Sequence, residues 1–199
     1  MRPEVSERLQ FLRSFLAHPR QVGAVLPTTR RAVSDMLDLA EVGGAALVVE
    51  LGAGTGTHTE VLLERLAPGA ELLAFEIDPG LSATLTAKLP DPRLRVVAGT
   101  AERLEEVLAG RRPEVVVSAL PFTSLPSGTG RRILELTAQV LAPGGVLLVL
   151  QYSPLLTGEL TRLFGSVRRR VSLINVPPAF LFACRDPKGA GRADPPATS

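Results

Sequence analysis

From residue 46 onward the chain alternates two kinds of apolar pattern. Short, nearly continuous apolar runs, "ALVVEL" (46–51), "ELLAFEI" (71–77), "RLRVVAG" (93–99), "PEVVVSAL" (113–120) and "GVLLVLQY" (145–152), read as strands buried on both faces. Between them, "HTEVLLERLA", "GLSATLTAKL", "AERLEEVLAG" and "GTGRRILELTAQVL" set apolar residues at helical spacing. Leu81, Leu85 and Leu89, four apart, would share one helix face. Such alternation predicts right-handed crossovers and a doubly wound α/β sheet.

The ending differs. "PLLTGELTRLFG" (154–165) predicts a helix, followed by two strands, "RRRVSLIN" (168–175) and "AFLFACR" (179–185). Only Val176, Pro177 and Pro178 separate them, so they should form a hairpin whose last strand is antiparallel. The expected fold is therefore a Rossmann-like, seven-stranded sheet, parallel except for one strand, in a single domain with N-terminal helices. Residues 4–17 predict an amphipathic helix with Val5, Leu9, Leu12 and Leu16 in one stripe, widened by Phe11 and Phe15 and flanked by Arg8 and Arg13. A second helix should start near Thr29 and carry Val33, Met36 and Leu37. The division expected is a helical segment over 1–40, the α/β domain over 41–185, and a Pro/Gly/Ala-rich disordered tail over 186–199.

Composition narrows the chemistry. The length of 199 residues suits one core. Cys184 stands alone, and His18 and His58 are the only imidazoles, so neither a disulfide nor a cysteine- or histidine-rich metal site is expected. The start, "MRPEVSERLQ", lacks the apolar centre of a signal peptide, and no apolar run approaches the roughly 20 residues that cross a bilayer. A cytoplasmic protein is expected. Charge is uneven: residues 1–31 carry +4, the remainder −2.

The candidate cofactor site is "VVELGAGTGTHTE". Gly52, Gly54 and Gly56, with Ala53 and Thr55 between them, end the first strand directly before a helix. Glycines allow a tight turn and close backbone approach to a ligand, and the helix offers free N–H groups. That turn alone suits a dinucleotide, S-adenosylmethionine or no ligand. Glu76, twenty residues past Gly56, stands where a carboxylate accepts ribose hydroxyl protons. Glu50, two residues before Gly52, would repel a pyrophosphate and attract a cation, which favours S-adenosylmethionine. A short-chain dehydrogenase fails on inventory, because Tyr152 is the only tyrosine and position 156, where that enzyme needs lysine, is leucine. Ile77, with Asp78 beside it, continues the acidic loop and could lie against an adenine face. Thr100 and Ala101 follow the third strand at the next loop. His58 opens the helix after the glycine turn; its ordinary pKa would suit a general base, but a helix start is more often simply exposed.

After the fourth strand, "VVVSALPFTSLP" (115–126) holds no acid, base, cysteine or metal ligand. A methyl group already activated by a sulfonium asks mainly for alignment and exclusion of water, which an apolar Pro-rigidified loop supplies. Phe122 and Tyr152 are the candidate catalytic residues, because aromatic faces stabilise ammonium groups by about 0.5–2 kcal/mol.

With these motifs the chain resembles the bacterial phospholipid N-methyltransferases, cousins of the rRNA adenine dimethyltransferases within class I. The resemblance spans roughly residues 11–185, through "FLRSFLAHPRQVGAVLPTTRRA", "VELGAGTGTHTE", "SALPFTSLP", "LQYSP" and "NVPPAFLFACR". It implies S-adenosylmethionine held by Glu50, Gly52 to Gly56, Glu76, Ile77, Thr100, Ala101, Ser118, Ala119 and Leu120. Many relatives have aspartate at the position of Thr100, for the adenine amino group; here a hydroxyl would substitute. It further implies a phospholipid amine as acceptor, phosphatidylethanolamine becoming phosphatidylcholine. The first helix, residues 1–20, would then contact the anionic inner face of the membrane. A soluble amine, rRNA adenine, or a cofactor- or lipid-binding role without catalysis are the alternatives. Nucleic acid is disfavoured, because Ser118 replaces the Asn of the adenine enzymes' Asn-Leu-Pro-Tyr loop, Ala119 is inserted before Leu120-Pro121-Phe122, and lysine is nearly absent. Arg168, Arg169 and Arg170 invite a headgroup-phosphate role, although charged edge strands are common.

Overall fold

The computed structural model describes residues 29–126, 128–173 and 178–188. The expected helix over 4–17, with its membrane contact, and residues 174–177 lie outside them.

The chain enters through α1 (Arg30–Leu37), whose first turn is capped by Thr29 Oγ1 accepting from the Ala32 amide. Five strand–helix units follow: β1 (Leu47–Leu51) and α2 (Thr57–Arg65), β2 (Glu71–Glu76) and α3 (Pro79–Lys88), β3 (Leu94–Ala98) and α4 (Leu104–Leu108), β4 (Val115–Ser118) and α5 (Thr129–Val140), β5 (Val146–Gln151) and α6 (Thr157–Leu163). The hairpin of β6 (Phe164–Ser172) and β7 (Ala179–Pro187) closes the fold. Strand order is β3-β2-β1-β4-β5-β7-β6, and β7 alone runs antiparallel to its neighbours. Two boundaries differ from the sequence reading. β6 begins at Phe164 rather than Arg168, because Phe164 is buried and pairs with Pro187. By the same ladder β7 takes in Asp186 and Pro187, which composition assigned to the tail.

Helices cover both faces of the sheet, which explains why its strands read as unbroken apolar runs. On one face α4, α5 and α6 bury Val49, Leu51, Leu73, Phe75, Val149 and Phe182. On the other, α1 and α2 bury Val48, Leu72, Val117, Leu148 and Leu181, with Val33, Met36 and Leu37 of α1 fully enclosed. Each such side chain contributes about 1.5–3 kcal/mol. α3 is set by Asp78, whose carboxylate accepts from the Gly80 and Leu81 amides at 2.7 and 3.0 Å, with Pro79 at the first helical position. Its Leu85 is buried, while Leu81 and Leu89 are half-buried beside it. Among the described residues no helix is long and apolar enough to cross a membrane.

Candidate functional site

In a doubly wound sheet the ligand crevice opens where strand order reverses, outside the carboxyl ends of the strands. Here that place lies between β1 and β4. Gly52 leaves β1 with φ +83°, its amide donating to the Phe75 carbonyl at 2.9 Å. That left-handed φ favours glycine, and a Cβ there would stand 2.7 Å from Leu120 Cδ2 and displace the side chain of the loop after β4. Gly56, at φ +88°, faces α3 instead: a Cβ there would stand 2.6 Å from Leu85 Cδ1. Between them Ala53 is buried against Ala74 and Leu85, and Thr55 is exposed, its carbonyl accepting from Lys88 Nζ at 3.3 Å.

Two carboxylates flank this turn from neighbouring strands. Glu76 Oε2 accepts from the Gly54 amide and Oε1 from the Asp78 amide, both at 2.8 Å. The glycine turn and the loop after β2 are thereby tied together. A carboxylate has about four acceptor sites, so capacity remains for two hydroxyl donors. Burial pushes the Glu76 pKa up, against the lowering effect of those amides. Glu50 is 1% exposed, and its Oε2 accepts from Thr59 Oγ1 at 2.7 Å. Its Oε1 is buried without a hydrogen-bond partner among the described residues. Burial pushes Glu50 up to about 7, the Thr59 hydroxyl opposing and the charge of Glu76 adding to the rise. An unpaired buried acceptor in the field of a second carboxylate is a place for positive charge. The pair thus fits a ligand with a ribose diol and a cationic group, as S-adenosylmethionine has.

An open cavity lies beside Glu76. Gly52, Glu76, Ile77, Thr100, Ala101, Ala119 and Leu120, all expected from the sequence, line it. So do Glu102, Pro121, Leu125, Pro126, Thr129 and Ile133, of which only the apolar loop residues were foreshadowed. Thr100 also has a local structural task. Its hydroxyl caps the short turn over Ala101–Arg103 by accepting from the Glu102 amide at 3.2 Å. Glu102, two residues on, brings a carboxylate-bearing residue to the lining. Thr129, at the start of α5, contributes a buried hydroxyl without a partner among the described residues. A polar pair displaced by two residues, and a helix start thirty residues downstream, leave no periodic signal.

Ser118 is fully buried, its Oγ accepting from the Leu120 amide at 3.3 Å, so it shapes the loop and does not line the cavity. The sequence reading also passed over Gln151. Its Nε2, buried at the end of β5, donates to the Leu120 carbonyl at 2.7 Å and to the Leu150 carbonyl at 2.7 Å. The loop after β4 is therefore held from both sides. Phe122 requires correction: it is 7% exposed, belongs to the core under α5, and does not line the cavity. The Leu-Pro turn buries the larger apolar side chain and leaves Leu120 and Pro121 outside. Tyr152 is half-buried at the end of β5 and packs toward the opposite face. His58 is buried rather than exposed, its Nε2 without a partner among the described residues, and burial lowers its pKa to about 4. It is a neutral core imidazole.

The chain matches a family model described as a methyltransferase domain over residues 48–145. It is 30% identical over 183 residues to an ornithine lipid N-methyltransferase of Singulisphaera acidiphila, covering 89% of this chain and 95% of that one. A ribosomal RNA small subunit methyltransferase A of Cutibacterium acnes is 40% identical over 104 residues, but these make up 48% of this chain and 31% of that one. Among solved structures, the N-methyltransferase NodS of Bradyrhizobium japonicum WM9, in complex with S-adenosyl-l-homocysteine, superposes with a TM-score of 0.71 at 18% identity. That likeness covers 91% of this chain and 99% of NodS.

Proposed function

Because the chain belongs to the class I S-adenosylmethionine-dependent methyltransferases, we propose that it methylates the amine headgroup of a membrane lipid. Phosphatidylethanolamine is the acceptor expected from the loop motifs; an ornithine lipid is the acceptor suggested by the relative in Singulisphaera acidiphila. The observation that carries this reading is the extent of that likeness. It runs along nearly both whole chains, whereas the rRNA relative matches under a third of its own length.

S-adenosylmethionine, when bound, supplies a methyl group already activated by positive sulfur. The chain's residues then divide the remaining work. Glu76 accepts the ribose hydroxyls, and Glu50, from behind the glycine turn, supplies negative charge to the cationic end. Ile77 and Ala101 enclose the adenine, with Glu102 accepting from its amino group in place of the aspartate that related enzymes carry. Ser118 and Gln151 fix Leu120 and Pro121 so that an apolar wall excludes water and sets the line of approach for the amine. Tyr152, half-buried just past β5 and packed toward the opposite face, is the remaining aromatic candidate for stabilising a cation, by about 0.5–2 kcal/mol. Phe122 supports the loop from within the core. No catalytic base is assigned: Glu50 and His58 are both buried, and the amine sheds its proton to solvent before attack.

The test is incubation with methyl-labelled S-adenosylmethionine and, in parallel, vesicles of phosphatidylethanolamine, vesicles of ornithine lipid, soluble ethanolamine or ornithine, and rRNA. Label entering a lipid is the expected result. Label entering only the soluble amines or only RNA overturns the reading, and tight cofactor binding without transfer to any of them would make the protein a binding protein.

A further inference from the structure

We propose that the β6 edge of the sheet, with the turn after β5, is a contact surface for an anionic lipid bilayer, distinct from the N-terminal segment. The proposal rests on the lipid reading above for its biological sense but on separate observations for its content.

Strand register brings the relevant residues together. Gln151 of β5 pairs with Phe180 of β7, and Phe180 pairs with Val171 of β6. The carboxyl ends of β5 and β6 therefore lie level, one strand apart, about 10 Å at the usual strand spacing. Leu155 follows β5 by four residues and Leu173 follows Val171 by two. The large apolar side chains that the described residues expose are these: Leu155 at 78%, Leu173 at 77% and Val171 at 43%. Val171 and Leu173 belong to the β6 edge and Leu155 to the turn after β5, at the same carboxyl end of the sheet where Gln151 holds the acceptor loop through its hydrogen bond to the Leu120 carbonyl.

Immediately beside them stand Arg168, Arg169 and Arg170, all exposed. None has a carboxylate partner among the described residues, whereas Arg30, Arg31, Arg65, Arg93, Arg103, Arg111, Arg131 and Arg162 each have one. Arg95, Arg112, Arg132 and Arg185 also lack a carboxylate partner among the described residues, Arg112 and Arg185 donating instead to the Leu141 and Gly144 carbonyls, but no other run of three consecutive arginines does. Arg169 lies over the Phe180 ring at 5.8 Å, which holds one guanidinium against the sheet. The alternating register puts Arg168 and Arg170 on the opposite face, so positive charge lines both sides of the strand. Arginines alone would be explained by protection of an exposed strand edge. A strand merely guarded against pairing has no reason to expose leucine and valine beside its charges. Cationic groups next to protruding apolar side chains are the composition that binds phosphate headgroups and inserts shallowly between acyl chains. Placed so, the surface would present the acceptor loop to lipid.

The experiment sediments the full chain with vesicles of neutral phosphatidylcholine and of phosphatidylcholine mixed with phosphatidylglycerol. R168Q/R169Q/R170Q should bind anionic vesicles on the order of a hundredfold more weakly, with a flatter salt dependence, while the corresponding triple lysine variant retains binding. L155S/L173S should lose about tenfold at every salt concentration. Adenosylhomocysteine affinity, measured in parallel, should be unchanged in all three. Wild-type binding by both the glutamine and serine variants overturns the proposal. So does arginine-dependent retention of an rRNA fragment with vesicle binding intact, which would make the strand a nucleic-acid surface. Vesicle binding that depends on β6 without methyl transfer to lipid would remove the lipid-acceptor reading and leave this surface; transfer to lipid with β6-independent binding would do the reverse.

Discussion

The two walls of the crevice are built from opposite materials. Ahead of the order reversal, β1 and β2 end in carboxylates, Glu50 and Glu76, gripped by a threonine hydroxyl and by backbone amides. Beyond it, β4 and β5 end in neutral groups: Ser118, Gln151 and an apolar Leu-Pro loop. The contrast follows from the chemistry. A cationic, activated methyl donor must be held by charge, whereas the acceptor side need only supply shape, dryness and a line of approach. An enzyme that activated its own acceptor would need acids or bases on the second wall.

Breaking the point where the walls meet should have the largest effect. Gly52→Val forces a β-branched residue into left-handed backbone and drives its Cβ into Leu120. Adenosylhomocysteine binding, followed by calorimetry, should fall beyond detection. Next comes the charged wall itself: Glu76→Ala removes the shared acceptor for the Gly54 and Asp78 amides and, on the proposed function, for the ribose. Cofactor affinity should drop on the order of a hundredfold, since hydrogen bonds to a charged group are worth about 1.5–3 kcal/mol each. On the neutral wall, Gln151→Ala should behave differently. It releases the Leu120 carbonyl, lowering kcat about tenfold, while cofactor affinity stays within about threefold. Equal losses in both quantities would mean that the two walls do not divide their work as described.

The smallest expected effect is on stability. The Glu50 pKa is raised from 4.5 to about 7, so between those values the folded state holds a proton the unfolded chain has lost, and stability falls as pH rises. The His58 pKa is lowered from 6.5 to about 4, so between those values the unfolded chain binds the proton and stability rises with pH. Over nearly the same window the two oppose each other, and the wild-type melting temperature should change little from this source. Glu50→Gln should unmask a melting temperature that climbs from pH 4 to 6.5, and His58→Gln one that declines from pH 4.5 to 7. Parallel curves for the two variants would deny one of the burials.

Much of this was legible in the chain because burial on both faces writes strands as apolar runs, and because a glycine turn with a carboxylate twenty residues on constrains the ligand. The antiparallel hairpin was legible from its short connection. What escaped was decided by packing. Phe122 and Leu120 are both apolar beside a proline, and only the space under α5 determines which one is buried. His58 has the local sequence of an exposed helix start, yet it is enclosed in the fold. Gln151 and Glu102 act across strands and turns, at separations no periodicity marks. That Val171 and Leu173 share the carboxyl end of the sheet with the turn after β5 depended on register, which sequence alone leaves open.

The central claim is that the first wall holds its ligand by negative charge, and a titration of S-adenosylmethionine into wild type and Glu50→Gln from pH 6 to 8 tests it most directly. Glu50 ionises through about 7 in the free protein, so the ratio of wild-type to variant affinity should grow as pH rises through that point and then level off, reaching about tenfold. A ratio near one at every pH would mean that the buried carboxylate behind the glycine turn has no part in binding the cation.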